Sequence, residues 1–230
     1  MNQSVQNYPG LAGGGALAAD RNRVLRNTYW LLALSMVPTV LGAWIGVQTG
    51  IARAMSPGVG LMVFLVGAFG LMFAIEKFKN SAAGVPILLA FTFFMGLMLS
   101  RLISVVLATS GPGVIMLAFG GTGAIFLTMA TLSSVIKRDL GGMGKFLTIG
   151  AIMLFVALLA NFFLQSPVLM IVLAVLGMGI FSAFILYDLR RVRDGVETNY
   201  ITATLGVYLS IYNVFQFMLA LLGIGGSSDD

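Results

Sequence analysis

Residues 151–164 read AIMLFVALLANFFL, fourteen positions with one amide and no charge. No helical stripe or strand alternation separates a wet side from a dry one, so every face of this segment wants an apolar surrounding. A buried core helix of a soluble protein could satisfy that once, but not repeatedly in 230 residues. Six further stretches of similar character flank it. Together the apolar segments run over about 28–48, 58–75, 83–107, 113–135, 145–164, 168–188 and 201–224. Each approaches the roughly 20 residues that cross a hydrocarbon core about 30 Å thick. Lipid offers no partner to backbone N–H and C=O groups, so spans must be helices or a closed barrel. Barrel strands alternate in polarity and these segments do not. The expected fold is all-α and integral to the membrane, with seven transmembrane helices.

Composition agrees. The chain is 59% hydrophobic and 9% charged, against about 25% charged in soluble domains, and its mean hydropathy is +1.00. The basic residues order the spans. Arg21, Arg23, Arg26, Lys77, Lys79, Lys137, Arg138, Lys145, Arg190, Arg191 and Arg193 fall at alternate gaps, and only Arg53 and Arg101 fall toward the other side. Lys and Arg accumulate in cytoplasmic loops, which predicts a cytoplasmic N-terminus and, after an odd number of spans, an external C-terminus. The net charge of +5 is concentrated beside the membrane, where topology and anionic lipid account for it and nucleic acid does not. Residues 1–24 are expected to form a flexible cytoplasmic tail, 25–224 one transmembrane domain and 225–230 a short external tail. The tail lacks the charge order of a cleaved leader, so the first span is expected to act as an uncleaved signal-anchor.

The absence of Cys and His removes thiolate chemistry, disulfides and imidazole acid–base or metal roles. Seven of the eight acidic residues are expected in tails or loops, which leaves no intramembrane carboxylate pair, and every Lys sits at a span boundary. No catalytic residue, cofactor or metal site is expected, and the chain is read as a non-enzyme. Asp188 is the exception among the acids, because it closes the sixth span in FSAFILYDLRRV. A carboxylate at such depth marks a functional site by default. Arg191, three positions on, can pair with it on the same helical face, with Lys77, Lys79 or Arg138 as alternatives. Two readings stand: an interfacial acid neutralised by the basic loop, or a pH-sensing gate whose protonation loosens the inner end of the bundle. Arg101 lies within an apolar stretch, where it either snorkels outward or lines an aqueous cavity.

The seventh span is the most polar. Thr202, Gly206, Ser210, Asn213 and Gln216 fall in a sector of about 120° at 100° per residue, while Tyr208 and Tyr212 add hydroxyls elsewhere. Hydrogen bonds between helices explain this pattern, as does a hydrated path. Small residues four apart (Gly96 and Ser100, Gly120 and Ala124, Gly179 and Ala183) permit close helix packing.

AFILYDLRRV at 183–192 and GVETNYITATLGVYLSIYNVFQFMLALLG at 195–223 resemble the last two spans of the Bax-inhibitor/YccA family, the transmembrane Bax inhibitor motif proteins. VLRNTYWLLALS (24–35), FTFFMG (91–96), SSVIKRDL (133–140) and ANFFLQSP (160–167) match as well, and the likeness is strongest to the bacterial YccA-like branch. The resemblance implies six spans surrounding a central C-terminal helix. It also implies a pH-responsive pair of aspartates in members that leak cations, coupled to a basic residue near the end of the second span. Asp188 occupies the first aspartate position, Ser210 stands at the second, and Lys77 or Lys79 falls near the basic one. One carboxylate and a hydroxyl cannot share a proton or a hard cation as two carboxylates do. The YccA-like branch implies association with FtsH, a membrane-anchored protease, in a bacterial inner membrane. A modulator of an FtsH-type protease is therefore the leading expectation. A Ca²⁺ or H⁺ leak channel is the alternative, and a membrane scaffold a third.

Overall fold

The computed structural model describes residues 9–136 and 140–225. Lys137 and Arg138 lie outside the described residues, as do 1–8 and most of the expected external tail. All regular structure among the described residues is helical: α1 (Pro9–Thr49), α2 (Ile51–Ala54), α3 (Pro57–Phe78), α4 (Gly84–Thr109), α5 (Pro112–Val135), α6 (Gly141–Leu164), α7 (Pro167–Arg193) and α8 (Tyr200–Gly225). Seven are long and apolar enough to cross a membrane, and the one-turn α2 sits in the loop between the first two of them. The protein is a multi-pass, all-α membrane protein. Helix α1 already includes residues 9–20, inside the segment expected as a tail; Ala12, Ala16, Ala18 and Ala19 are strong helix formers that offset Gly13, Gly14 and Gly15.

The turns at one end share a device. Ser56-Pro57, Gly111-Pro112 and Ser166-Pro167 each start the returning helix with Pro at its first position, where the missing N–H is no loss. Ser56 Oγ accepts from Val59 N–H at 3.4 Å and Ser166 Oγ from Leu169 N–H at 3.3 Å, filling orphan donors of the first turn. The expected basic gaps lie at the opposite end.

The spans pack around two inner helices. Both α4 and α8 are more buried than the other five, and α8 touches α1, α3, α4, α5 and α7. Leu31, Leu32, Ile75, Leu88, Phe91, Met95, Ile185, Leu189 and Val207 form the main core between α1, α3, α4, α7 and α8. A smaller cluster of Leu154, Leu173, Ala174 and Phe217 seats α6 against α7 and α8. Phe69, Phe73, Phe146 and Phe163 point outward, as lipid-facing side chains do.

The closest helix pair is α1 with α4. A Cβ on Gly42 would collide with the Phe93 carbonyl oxygen, and one on Gly96 with that of Thr39. Gly46 faces the Ser100 side chain, so the expected Gly96/Ser100 pair meets a GxxxG pair, Gly42 and Gly46, on the partner helix. Gly120 and Gly179 instead have nothing within 4 Å of a Cβ position among the described residues, so neither glycine sits at a close approach there. Gly42→Ala or Gly96→Ala should destabilise the folded protein by about 1–3 kcal/mol through overpacking. Gly120→Ala should be neutral or stabilising by up to about 1 kcal/mol. Reversible SDS unfolding in mixed micelles, followed by ellipticity, measures both.

Candidate functional site

Helices α7 and α8 run side by side, and their contact places Asp188 on the polar face anticipated for the last span. The closest atom to a Cβ built on Gly206 is Asp188 Oδ2, at 3.0 Å. Only a glycine lets the carboxylate lie so near the α8 backbone. One turn to either side of Gly206 stand Thr202 and Ser210. Ser210 is 3% exposed and donates to the Gly206 carbonyl at 3.0 Å, so its hydroxyl is turned back onto its own helix. Thr202 Oγ1 is buried with no hydrogen-bond partner among the described residues. The Asp188 carboxylate makes no hydrogen bond within the described residues, and Arg191 acts on it through charge at longer range. The site therefore holds one acid and two hydroxyls, and among the described residues no three His, Cys, Asp or Glu come together as metal ligands.

The basic residues expected near Asp188 have closer partners. Arg191 pairs with Glu197 at 3.8 Å and lies over the Tyr187 ring at 5.7 Å. Lys79 is ion-paired with Glu76, one turn back on its own helix, and Lys77 sits 5.8 Å from the Phe78 ring centroid. Arg191 thus serves two acids: the chain bends back after Arg193, bringing Glu197 within 3.8 Å of a guanidinium that also acts on Asp188 through charge. Farther along α8, Asn213 donates to the Leu209 carbonyl at 2.7 Å, while Gln216 makes no hydrogen bond among the described residues. The polar face is mostly folded onto its own backbone.

Bonds between helices come from the tyrosines instead. Tyr208 OH is 2.9 Å from Thr39 Oγ1 on α1 and 3.4 Å from the Thr92 carbonyl oxygen on α4. Tyr212 OH donates to the Met95 carbonyl at 3.2 Å, and Thr204 Oγ1 reaches the Thr28 carbonyl at 3.4 Å. The expected hydrogen bonding between helices is present, but its principal donors lie outside the 120° sector. Arg101 extends toward the Met55 carbonyl at 3.5 Å, in the turn before α3.

A second feature, missed in the sequence, secures the mouth of the site. Asn199 Oδ1 accepts from the N–H groups of Ile201 and Thr202 at 2.9 and 3.2 Å, capping α8. Its Nδ2 donates to the Lys79 carbonyl at 3.2 Å and to Asn80 Oδ1 at 2.8 Å, on the α3–α4 turn. Glu197 Oε1 accepts from Asn199 N–H at 2.9 Å while its other oxygen holds Arg191. An Asn directly ahead of the apolar run was the available signal. Arg190 and Arg193 complete the closure by donating to the Ser133 carbonyl and hydroxyl at the end of α5.

A bundle of seven helices long and apolar enough to span a membrane, with an acid set against a glycine of its last helix, makes this a polytopic membrane protein. The family model described as "Inhibitor of apoptosis-promoting Bax1" matches residues 21–227. The Escherichia coli K12 protein named "Modulator of FtsH protease YccA" is 35% identical over 202 residues, 88% of this chain and 90% of that protein. An uncharacterized membrane protein of Vibrio cholerae is 37% identical over 211 residues, covering 91% and 93%. The chain belongs to the Bax-inhibitor family.

Asn199→Ala should cost about 1–2 kcal/mol, because the α8 cap and the tie to the α3–α4 turn are lost together. Asp188→Asn removes a desolvated charge and with it a long-range attraction to Arg191, so it should leave stability unchanged or raise it by about 1 kcal/mol. Thermal unfolding of both variants in one detergent tests the contrast.

Proposed function

We propose that this chain is a non-catalytic modulator of an FtsH-type protease in a bacterial inner membrane, with its N-terminus in the cytoplasm and its C-terminus outside. The observation that carries the reading is 35% identity, spanning nine-tenths of both chains, to a protein named for modulating FtsH. The side chains support the non-catalytic part. Glu76, Asp194 and Glu197 are each ion-paired, and among the described residues no second acid stands with the carboxylate beside Gly206 as hydrolysis requires. The concentration of Lys and Arg at one end supports the orientation.

Deleting the gene should change the half-life of membrane proteins degraded by the protease, and the protease should co-purify with the tagged chain from native membranes. Unchanged half-lives together with no co-purifying protease would remove the proposal. The orientation has its own measurement, made simple by the lack of native Cys. Ala54→Cys, at the end without basic gaps, should react with an impermeant maleimide in intact spheroplasts. Ala82→Cys, on the α3–α4 turn, should react only after lysis; the reverse pattern inverts the topology.

A further inference from the structure

At the end of the bundle opposite Asn199, the turns between helices are nearly without charge. Among the described residues only Arg53 in α2 and Arg101 in α4 carry one toward that end. Arg53 is exposed. The Arg101 guanidinium lies beside the α2–α3 turn, 3.5 Å from the Met55 carbonyl oxygen and 3.3 Å from a Cβ position on Gly60. Neither arginine is ion-paired among the described residues. The Met55 contact is long for a hydrogen bond, and a guanidinium has further N–H donors to offer. Of the acids, Asp20, Glu76, Asp188, Asp194 and Glu197 all stand toward the Asn199 end, and Asp139 belongs by sequence to the α5–α6 gap at that end. The two that remain, Asp229 and Asp230, follow α8.

The path of α8 brings those two acids to the right helix. Ser110 Oγ, at the end of α4, donates to the Gly223 carbonyl at 3.2 Å, and a Cβ on Gly223 would lie 2.9 Å from the Val106 side chain. The chain therefore leaves α8 at Gly225 beside the last turns of α4, the helix that carries Arg101. Along the α4 axis Val106 is only about 7.5 Å beyond Arg101. The stretch from Gly225 to Asp229 covers about 14 Å when extended, and the two side chains add to that reach. So short a tether holds the acids at an effective concentration of the order of millimolar, where a pair too weak to join separate molecules can form. Helix α3 has most to gain from such a pair. It is among the least buried spans, and the Asn199 tie reaches only the turn at its other end.

We propose that Asp229 and Asp230 strap the end of α8 to the α2–α3 turn by pairing with Arg53 and Arg101. The inner helix is then fastened at both ends, to the α3–α4 turn by an amide and to the α2–α3 turn by carboxylates. Charge complementarity favours this occupant over a separate acidic partner, because the two cations at this end are matched by two acids of the same chain. The strap is independent of the protease reading, of the orientation in the membrane and of Asp188.

The lack of native Cys allows the strap to be read by disulfide trapping. Ser228→Cys is combined with Ala54→Cys, beside Arg53, or with Val168→Cys, in the first turn of α7 at the same end, where no cation stands. The protein is placed in phosphatidylcholine nanodiscs and oxidised with copper phenanthroline, and the intramolecular bond is scored by peptide mass. Joining Asp229→Asn to Asp230→Asn should slow the 54–228 bond about threefold, the loss expected for exposed ion pairs, and leave the 168–228 bond no slower. Raised salt should act in the same direction. Arg53→Gln and Arg101→Gln should each slow the 54–228 bond in part. The Asp variants change no residue of any helix, so a folding defect does not obscure them. A 54–228 rate indifferent to the loss of both acids overturns the proposal, as does equal slowing of the two bonds. Exchanging part of the phosphatidylcholine for phosphatidylglycerol should leave the 54–228 rate unchanged; a fall to the rate of the acid-free variant would assign the arginines to lipid phosphate and overturn the strap.

Discussion

Hydrocarbon gives a polar group nothing to bond with, and the architecture follows from that single deficiency. Backbone groups are satisfied inside helices, and most hydroxyls on the spans are treated the same way. Thr28, Ser35, Thr39, Thr122, Ser133, Thr148, Thr204 and Ser210 each donate to a carbonyl three or four residues back. Such bonds let a span carry hydroxyl groups without exposing them to lipid. What remains available to join helices is limited to groups that reach farther, chiefly Tyr208 and Tyr212, and to shape.

Shape does more of the joining than polarity. With no hydrophobic force to drive helices together in lipid, close backbone approach supplies dispersion contacts that larger side chains would prevent. The α1–α4 seam is built this way from Gly42, Gly46 and Gly96. The same logic operates at Gly206, except that the space left by the absent Cβ is taken by a carboxylate. Gly206 therefore joins a packing role to a chemical one, letting the Asp188 carboxylate come close to the α8 backbone.

The spans were legible because their signal is length and composition, which tertiary contacts barely alter. Their Pro-marked starts at 57, 112 and 167 were equally plain. The resemblance of the last two spans to the Bax-inhibitor family was legible too, since it rests on long unbroken matches. Pairing was not. Arg191 shares a helical face with Asp188, yet its closer partner is Glu197 because the α7–α8 loop folds back, and no local spacing rule describes a loop's return. The small-residue spacing identified Gly96 and Ser100 correctly but equally nominated Gly120 and Gly179, which face outward; a spacing says that a close approach is possible without saying which neighbour comes. Asn199 carries no charge, and only its position ahead of the apolar run marks it; the cap that ties α8 to the α3–α4 turn is this neutral amide.

Helix α1 is 41 residues long, about 60 Å at 1.5 Å per residue, twice the thickness of the hydrocarbon core. It is a continuous rod joined to α4 along one side. Load applied along its axis is shared by all the seam contacts at once, as shear distributes force over a glued lap. Load applied sideways at the inner end meets those contacts one turn at a time. The molecule is therefore mechanically anisotropic, stiff to withdrawal along the rod and yielding to peeling across it.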